Sequence, residues 1–259
     1  MLGALAQKGY VALTWDPLGQ GERVQMWDPD QNRSKLGSST TEHTVIGIQA
    51  LLVGENLAQY TIWDGMRALD YLLSRPEVDP ARVAVSGNSG GGTHSAYLAA
   101  LDDRLAAAAP SCYITSWRRL LATIGPQDAE QCFTPLLAKR IDHGDFALAF
   151  APKPFAILSA IRDFFSIAGA RSTYAELREV YGRIDQLEKV SMTEADDGHG
   201  FSAPRRMAAY AWFARWLQGR EDDGVEPETP LMTEDALWAT EQGQVALLPG
   251  ARGVHDFLD

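Results

Sequence analysis

Two patterns of apolar residues alternate along this chain, and they predict its strands and helices. Short continuous apolar runs closed by Gly, Pro or Asp are typical of buried strands, whereas apolar residues three or four positions apart predict helices. The predicted strands are residues 10–15, 82–86, 105–111, 154–161 and 187–193. The predicted helices are residues 1–8, 44–52, 55–74, 93–101, 173–181 and 204–218, and residues 118–150 are expected to be helical and irregular. This alternation predicts an α/β fold with a mostly parallel sheet and helices on both of its faces.

The pattern changes after residue 219. Residues 220–230 are acidic and include Pro227 and Pro230, a composition typical of a linker. We therefore predict one α/β domain over residues 1–219, followed by an acidic linker and C-terminal tail over residues 220–259.

Composition narrows the classes of partner. The chain has 259 residues, enough for one α/β domain with a sizeable core, and its apolar content of 46% is ordinary for a globular protein. A net charge of -11 argues against nucleic acid or an anionic membrane surface as a partner. No apolar run reaches membrane-spanning length, and the first residues carry no signal peptide. The compartment stays open: cytoplasmic, or secreted if the sequence is N-terminally truncated.

The sequence gives no sign of a metal or cofactor. Cys112 and Cys132 could form at most one disulfide, and free thiols are the expectation. Neither cysteine has the spacing of metal ligands, and no histidine pairs with Cys or Glu at such a spacing.

The segment Gly87 to Gly91 (Gly-Asn-Ser-Gly-Gly) carries the strongest chemical signal. It follows a predicted strand and precedes a helix of small residues, which is the context of a nucleophile elbow centred on Ser89. Small neighbours are needed because the strand-to-helix turn is too tight for side chains beside the serine. An ordinary glycine-rich turn is the alternative. A phosphate-binding loop is excluded because Thr93 and His94 follow Gly92, where that loop needs Lys and then Ser or Thr.

A serine nucleophile needs a base and an acid that holds the base, in the chain order Ser, Asp, His for this elbow. Asp163 directly follows the predicted strand 154–161, and His199 lies in a glycine-flanked loop after the last predicted strand. Ends of parallel strands meet at one edge of a sheet, so we expect these side chains to converge with Ser89. Asp163 as a helix N-cap is the open alternative.

Other carboxylates compete with Asp163. Asp142 and Asp145 lie in the irregular segment 118–150 and remain alternatives for the acid. Asp196 and Asp197 are too close in sequence to the histidine loop to be the usual partner, and we expect them to form the turn or face solvent.

The other histidines have lesser expected roles. His94 follows the elbow and is expected to pack beneath the site. His43 lies where a loop could cover the pocket, and a role in substrate binding is open for it. His143 and His255 are expected at the surface.

Together these residues resemble a known superfamily. The run Asp16 to Glu22 (Asp-Pro-Leu-Gly-Gln-Gly-Glu), the elbow, Asp163 and His199 are similar to those of the α/β-hydrolases, in the branch of acetyl xylan esterases and cephalosporin-C deacetylases. The resemblance implies Ser89 as nucleophile, His199 as general base and then acid, and Asp163 as the orienting carboxylate.

The resemblance covers residues 1–219, which it identifies as a catalytic domain, and it implies that the Gly90 N–H is one oxyanion donor. It departs at the start, because the superfamily has more strands before a segment like residues 1–15. One of those strands carries the second oxyanion donor. We therefore expect the first strands to be missing, through N-terminal truncation or because another segment or subunit supplies them.

These observations predict a serine carboxylic ester hydrolase. The resemblance implies a small or carbohydrate ester such as acetylated xylan as substrate. Alternatives are a peptidase or lactonase on the same fold, or an inactive hydrolase-like domain for binding or assembly, and a homo-oligomer is left open. The pocket is predicted to be lined by Asn88, Tyr113, Trp117, Phe164 and Phe165, with a core role equally open for the aromatic residues.

Overall fold

A computed structural model describes residues 1–37 and 39–258. The strands in this part of the chain are β1 (Trp27–Asp28), β2 (Arg33–Ser34), β3 (Ala84–Asn88), β4 (Ala107–Ser111), β5 (Phe155–Ala160) and β6 (Val190–Ala195). The α-helices are α1 (Leu2–Gln7), α2 (Ser39–Leu52), α3 (Leu57–Leu73), α4 (Gly90–Leu101), α5 (Trp117–Thr123), α6 (His143–Phe150), α7 (Ile167–Arg183) and α8 (Ala203–Phe213). Within the described residues, every helix falls short of the length or apolar character that a bilayer crossing requires.

The chain divides into two compact units. The first comprises Met1–Ala12, Gly65–Pro126 and Pro135–Pro227. The second comprises Leu13–Asp64, Gln127–Thr134 and Glu228–Asp259. The domain boundary at residue 219 stays a prediction.

The first unit is built on a parallel sheet with the strand order β3-β4-β5-β6. Consecutive strands are neighbours and run parallel, so each crossover brings the chain back to start the next strand on the same side. The carboxyl ends of all four strands therefore lie together at the opposite edge of the sheet. Asn88 pairs with Ser111 at the last position of β3 and β4. The parallel sheet predicted from the sequence is confirmed.

Helices cover both faces of this sheet. On one face, small side chains of β4 and β5 lie beneath aromatic residues of α8, and α1 packs against the same cluster. Burying one such ring, for example that of Phe213, stabilises the fold by about 2 kcal/mol. On the other face, the Phe155 ring meets the Phe150 ring of α6 at a centroid distance of 6.3 Å. Side chains of neighbouring strand residues point to opposite faces, which is why Phe155 and Ala156 contact different helices.

The second unit holds the segment that was expected to be a tail. Glu22 accepts hydrogen bonds from the backbone N–H groups of Ala239 at 2.6 Å and Thr240 at 2.8 Å. A buried apolar cluster in this unit consists of Leu18, Ile46, Leu57 and Val254. Within residues 231–258, Ala239 and Thr240 are therefore held by polar contacts and Val254 by apolar packing.

Two local expectations differ from the structure, and a third agrees with it. Residues 10–15 form no strand, because a strand needs a hydrogen-bonded neighbour and none of the described strands pairs with them. Segment 118–150, expected to be helical and irregular, contains α5, a 3-10 turn at Ala129–Gln131 and α6 separated by irregular chain, in agreement with the prediction. His143, expected at the surface, is fully buried at the start of α6.

Candidate active site

Ser89 occupies a sharp turn between β3 and α4. Its φ of 59° and ψ of -120° lie in a region that non-glycine residues rarely adopt. The Ser89 N–H donates to the Ser111 carbonyl at 2.9 Å, and the Ser89 carbonyl accepts from the Thr93 N–H at 2.9 Å. Such a conformation costs about 1–3 kcal/mol, and it is held because strand and helix fix both ends of the turn. This is the backbone geometry of a nucleophile elbow.

Close packing explains the glycines around Ser89. A Cβ added at Gly87 would lie 2.5 Å from the Gly91 carbonyl oxygen, and one at Gly92 would collide with the Ser111 carbonyl oxygen. Any side chain at these two positions would push α4 away from the sheet. The glycines are required by backbone approach rather than by loop flexibility.

Asp163 and His199 form a directed pair. Both carboxylate oxygens of Asp163 lie 3.0 Å from the His199 Nδ1. The Asp163 side chain is only 1% exposed, and the Phe165 N–H donates to its Oδ1 at 3.1 Å. Because α7 begins at Ile167 with Ser166 as its N-cap, Asp163 does not cap that helix. The carboxylate is fixed from two sides and holds the Nδ1 side of the imidazole.

The rival carboxylates have structural roles. Asp142 is the N-cap of α6 and also accepts from the Trp117 N–H at 2.8 Å. The Asp145 side chain accepts from the Asp142 N–H at 2.7 Å and completes a capping box. Asp197 forms an ion pair with Arg205 at 3.2 Å. Asp163 is the carboxylate that contacts His199 through both of its oxygens.

The contact between Asp163 and His199 shifts the pKa of both side chains. The hydrogen bond with Asp163, helped by Cys112, raises the pKa of His199 to about 9. Burial raises the pKa of Asp163, but hydrogen bonds from His199, Cys112 and the Phe165 N–H outweigh it, so the net pKa is lowered. At neutral pH the resting imidazole is therefore protonated, and its neutral form is gained as the pH rises toward 9.

The elbow and the histidine loop are joined by a hydrogen bond. With its amide nitrogen turned toward the acceptors, Asn88 donates to the Gly200 carbonyl at 2.8 Å and to the Ser111 Oγ at 2.8 Å. In the same orientation its amide oxygen lies 3.3 Å from the Ser89 backbone nitrogen. The residue before the predicted nucleophile thus binds the residue after His199, and the two loops lie side by side.

The predicted pocket aromatics occupy different surroundings. Phe164 is 39% exposed, and its ring stacks on the His199 ring at a centroid distance of 4.3 Å. Tyr113 and Trp117 are buried, with ring centroids 4.7 Å and 5.0 Å from that of His143. This placement favours the core role that the sequence left open for Tyr113 and Trp117. Phe164 has the surroundings of a residue that substrate can touch.

Phe165 and His143 belong to the buried side of this region. The Phe165 ring is buried and lies 6.0 Å from the rings of both Tyr113 and His199. Burial lowers the pKa of His143 to about 4, so this imidazole is neutral. His94 is buried within α4, and its packing beneath the elbow stays a prediction.

Sequence reasoning gave no role to two residues that surround the Asp163–His199 pair. Cys112 follows β4 with a φ of 49°, and its Sγ lies within 4.8 Å of a carboxylate oxygen of Asp163 and of a ring nitrogen of His199. Arg205 is fully buried in α8 and donates to the Cys112 Sγ at 2.9 Å. One signal in the sequence points to Arg205: it precedes Ala209 by four residues, on the apolar stripe of an amphipathic helix. A charged residue at a core position needs buried partners.

Among the residues that the structure describes, two clusters of side chains hold potential ligand atoms close enough to share a metal ion, and each has another explanation. Cys112, Asp163 and His199 form the first, in which Asp163 already engages the His199 Nδ1. His43, Asp128 and Glu130 form the second, within the second unit.

His43 is buried, and its Nε2 donates to the Leu18 carbonyl at 2.7 Å. Its Nδ1 lies 3.2 Å from one oxygen each of Asp128 and Glu130. Burial lowers the pKa of His43, but the two carboxylates outweigh it and raise the pKa to about 10. We interpret this cluster as an ion triad that stabilises the second unit, and a substrate role for His43 stays a prediction.

Comparison with known proteins places the chain. Residues 3–137, more than half of the sequence, match the family model of acetyl xylan esterase (AXE1). The chain belongs to the acetyl xylan esterase family. The branch that the sequence resembles is confirmed, and a carboxylic ester hydrolase is the enzyme class that membership supports.

A curated protein and a solved structure are also similar to this acetyl xylan esterase family member. The chain is 28% identical over 215 residues to "Putative hydrolase YtaP" of Bacillus subtilis (strain 168), covering 82% of this chain and 67% of that protein. The structure is similar to that of "Methylesterase BT1017" with a TM-score of 0.69 and 23% identity, covering 94% of this chain and 51% of the other.

Two further solved structures share the fold. A "putative acetyl xylan esterase" from Bacteroides fragilis NCTC 9343 has a TM-score of 0.61 and 18% identity, over 74% of this chain and 49% of that one. A glucuronoyl esterase from Caldicellulosiruptor kristjansonii has a TM-score of 0.55 and 16% identity, over 70% and 56%. These likenesses confirm the α/β-hydrolase-type fold. The chain spans about half the length of the solved structures it matches.

Proposed function

We propose that this acetyl xylan esterase family member is a serine carboxylic ester hydrolase that uses Ser89, His199 and Asp163. The hydrogen bond between Asn88 and Gly200 is the observation that carries the proposal. It joins the strained turn of the nucleophile to the loop of the base, while Asp163 holds the Nδ1 of the imidazole. Three residues far apart in sequence then act as one site.

The chemistry follows from these positions. With its Nδ1–H held by Asp163, the neutral His199 presents Nε2 as the base that takes the proton of the Ser89 hydroxyl. The Ser89 Oγ forms a bond to the ester carbonyl carbon, and the alcohol leaves with the proton that His199 returns. Water then attacks the acyl-enzyme with His199 as base, the acid is released, and Ser89 regains its proton. Asp163 stabilises the imidazolium in both steps.

The oxyanion of each tetrahedral intermediate needs hydrogen-bond donors. Gly90 is the first residue of α4, where backbone N–H groups have no acceptor within the helix. The helix dipole adds a partial positive charge at this end. The Gly90 N–H is therefore our assignment for one oxyanion donor, and such a donor contributes about 3–4 kcal/mol to the barrier reduction.

The proposed substrate class is a small acyl ester, with an acetylated carbohydrate such as xylan as the preferred example. Family membership supports this class, and the solved relatives bear the names of a methylesterase, an acetyl xylan esterase and a glucuronoyl esterase. The half-exposed Phe164 ring beside His199 supplies an apolar surface for a short acyl or alkoxy group.

Ester hydrolysis by wild type and Ser89→Ala tests the proposal. We expect wild type to hydrolyse p-nitrophenyl acetate and to release acetate from acetylated xylan, and Ser89→Ala to lose both activities while its circular dichroism is unchanged. A preference for the octanoate ester would refute the small-acyl assignment. Inactivity of a folded wild type toward every ester would favour the alternative of a binding or assembly domain, and cleavage of peptides or lactones instead would change the class of bond.

A further inference from the structure

We propose that Arg205 is a positioning residue for His199, acting through the carbonyl groups on both sides of that histidine. This inference rests on the proposed function, in which His199 is the base. Arg205 is fully buried, a rare environment for a guanidinium unless its charge and donors have partners. Its partners all lie around the proposed catalytic pair.

The contacts of Arg205 bracket the base. Its Nη2 donates to the Gly198 carbonyl at 3.3 Å and also to the Gly200 carbonyl. The same nitrogen forms an ion pair with Asp197 at 3.2 Å. One nitrogen therefore holds the residues before and after His199, which fixes the turn from which the imidazole projects.

The other arm of the guanidinium reaches the acid side. Its Nη1 donates to the Cys112 Sγ at 2.9 Å. The Cys112 Sγ lies within 4.8 Å of a carboxylate oxygen of Asp163 and of a ring nitrogen of His199. Arg205 thus spans the loop of the base and the strand end beside the acid in a planar fork, of which a lysine ammonium could replace only one arm.

The Gly200 carbonyl connects this fork to the nucleophile. It accepts from Arg205 and, at 2.8 Å, from the amide of Asn88, the residue before Ser89. Gly200 has a φ of 145°, which other residues rarely adopt. The Cys112 Sγ also donates to the Gly200 carbonyl oxygen at 3.6 Å. Three donors from different elements therefore meet on it, and they hold the loop of the base against α8, the elbow and the end of β4.

The pKa of His199 separates positioning from simple charge effects. Removing a nearby positive charge would by itself raise the pKa of an imidazole. Loosening the loop would weaken the His199–Asp163 hydrogen bond, which lowers that pKa from about 9 toward its ordinary value. A fall in the pKa of His199 after removal of Arg205 is therefore the signature of positioning.

The experiment compares wild type, Arg205→Met and Arg205→Lys by NMR titration of histidine-labelled protein, with the His199 signal assigned from its loss in His199→Ala. We expect the pKa of His199 to fall in Arg205→Met and to stay closer to wild type in Arg205→Lys. In p-nitrophenyl acetate hydrolysis, kcat should fall about tenfold to a hundredfold in Arg205→Met with little change in KM, because a misplaced base slows the chemical step.

Arg206→Met is the matched control. Arg206 is the next residue of α8 and pairs with Glu226 through two contacts, and it donates to the Phe201 carbonyl rather than to Gly198 or Gly200. We expect the pKa of His199 in Arg206→Met to equal that in wild type. Should Arg205→Met fail to fold, Asn88→Ala removes a different donor to the Gly200 carbonyl without a change of charge, and it should lower the same pKa.

A pKa of His199 that stays at about 9 or rises in a folded Arg205→Met protein overturns the inference, as does an equal fall in Arg206→Met. These outcomes leave the proposed function intact if Ser89→Ala abolishes hydrolysis. A wild type without esterase activity removes the proposed function instead, while the NMR result still reports whether Arg205 holds the imidazole in place.

Discussion

Replacing Asp163 by Asn tests how strongly the carboxylate controls the base. In the native protein two Asp163 oxygens lie 3.0 Å from the His199 Nδ1, and the pKa of His199 is raised to about 9. The rise from an ordinary value of about 6.5 is at most about 3 kcal/mol of preference for the charged ring. Because the ring is partly exposed, screening by solvent reduces this to about 1–2 kcal/mol.

Asp163→Asn removes that preference and also frees the ring to adopt the wrong tautomer. We expect the inflection in the pH profile of kcat/KM to move from about 9 to about 6.5, and kcat to fall about a thousandfold to ten-thousandfold. The sign follows from the base being active only when neutral: wild-type activity rises with pH up to about 9.

Stopped-flow hydrolysis of p-nitrophenyl acetate across this pH range, corrected for spontaneous hydrolysis, gives both quantities. Asp142→Asn, which removes a carboxylate that caps α6, is the control and should keep the wild-type inflection if the variant folds. An unchanged rate and inflection in Asp163→Asn would refute the role assigned to this carboxylate and return Asp142 and Asp145 to consideration.

Other predictions concern packing, pH and the C-terminal segment. Gly92→Ala should lower the free energy of unfolding by about 1–3 kcal/mol, measured by thermal denaturation, because the added Cβ meets a backbone carbonyl. Gly91→Ala is the control and should not lower it, because its Cβ meets no atom within 4 Å. Equal effects of the two variants would contradict the packing argument. Because the pKa of His143 is lowered to about 4, its imidazole binds a proton more readily in the unfolded chain than in the folded protein. The free energy of unfolding should therefore fall as the pH drops from about 6.5 to 4. An equally steep fall in His143→Phe would show that His143 is not the cause. Glu22→Ala should speed limited proteolysis within residues 231–258, and an unchanged cleavage rate would show that the Glu22 hydrogen bonds do not hold this segment.

Local patterns made the elbow and the order of the proposed triad predictable. The Ser89 turn needs small neighbours within a few residues, Asp163 follows a strand directly, and His199 lies in the glycine-flanked loop after the last strand, so short stretches of sequence carry the signal. The spacing of strands and helices likewise predicts a parallel sheet, since it depends on periodicity within each element.

Contacts between distant segments could not be predicted in the same way. The run 10–15 has the composition of a strand, but a ladder depends on a partner elsewhere in the chain. The prediction that His143 lies at the surface is wrong because α6 packs it against the Tyr113 ring, a contact with a distant segment. The Arg205 contacts join α8 to the 197–200 loop and to the end of β4, and a pattern within one helix does not specify them.

Covalent labelling by a fluorophosphonate, located by mass spectrometry, tests the central claim most directly. An activated serine reacts with this probe, whereas an ordinary serine in a strained turn does not. The account predicts a single adduct on the peptide that carries Ser89, formed faster as the pH rises toward 9 and lost in His199→Ala. An adduct elsewhere, or labelling of Ser89 that is undiminished without His199, would contradict it.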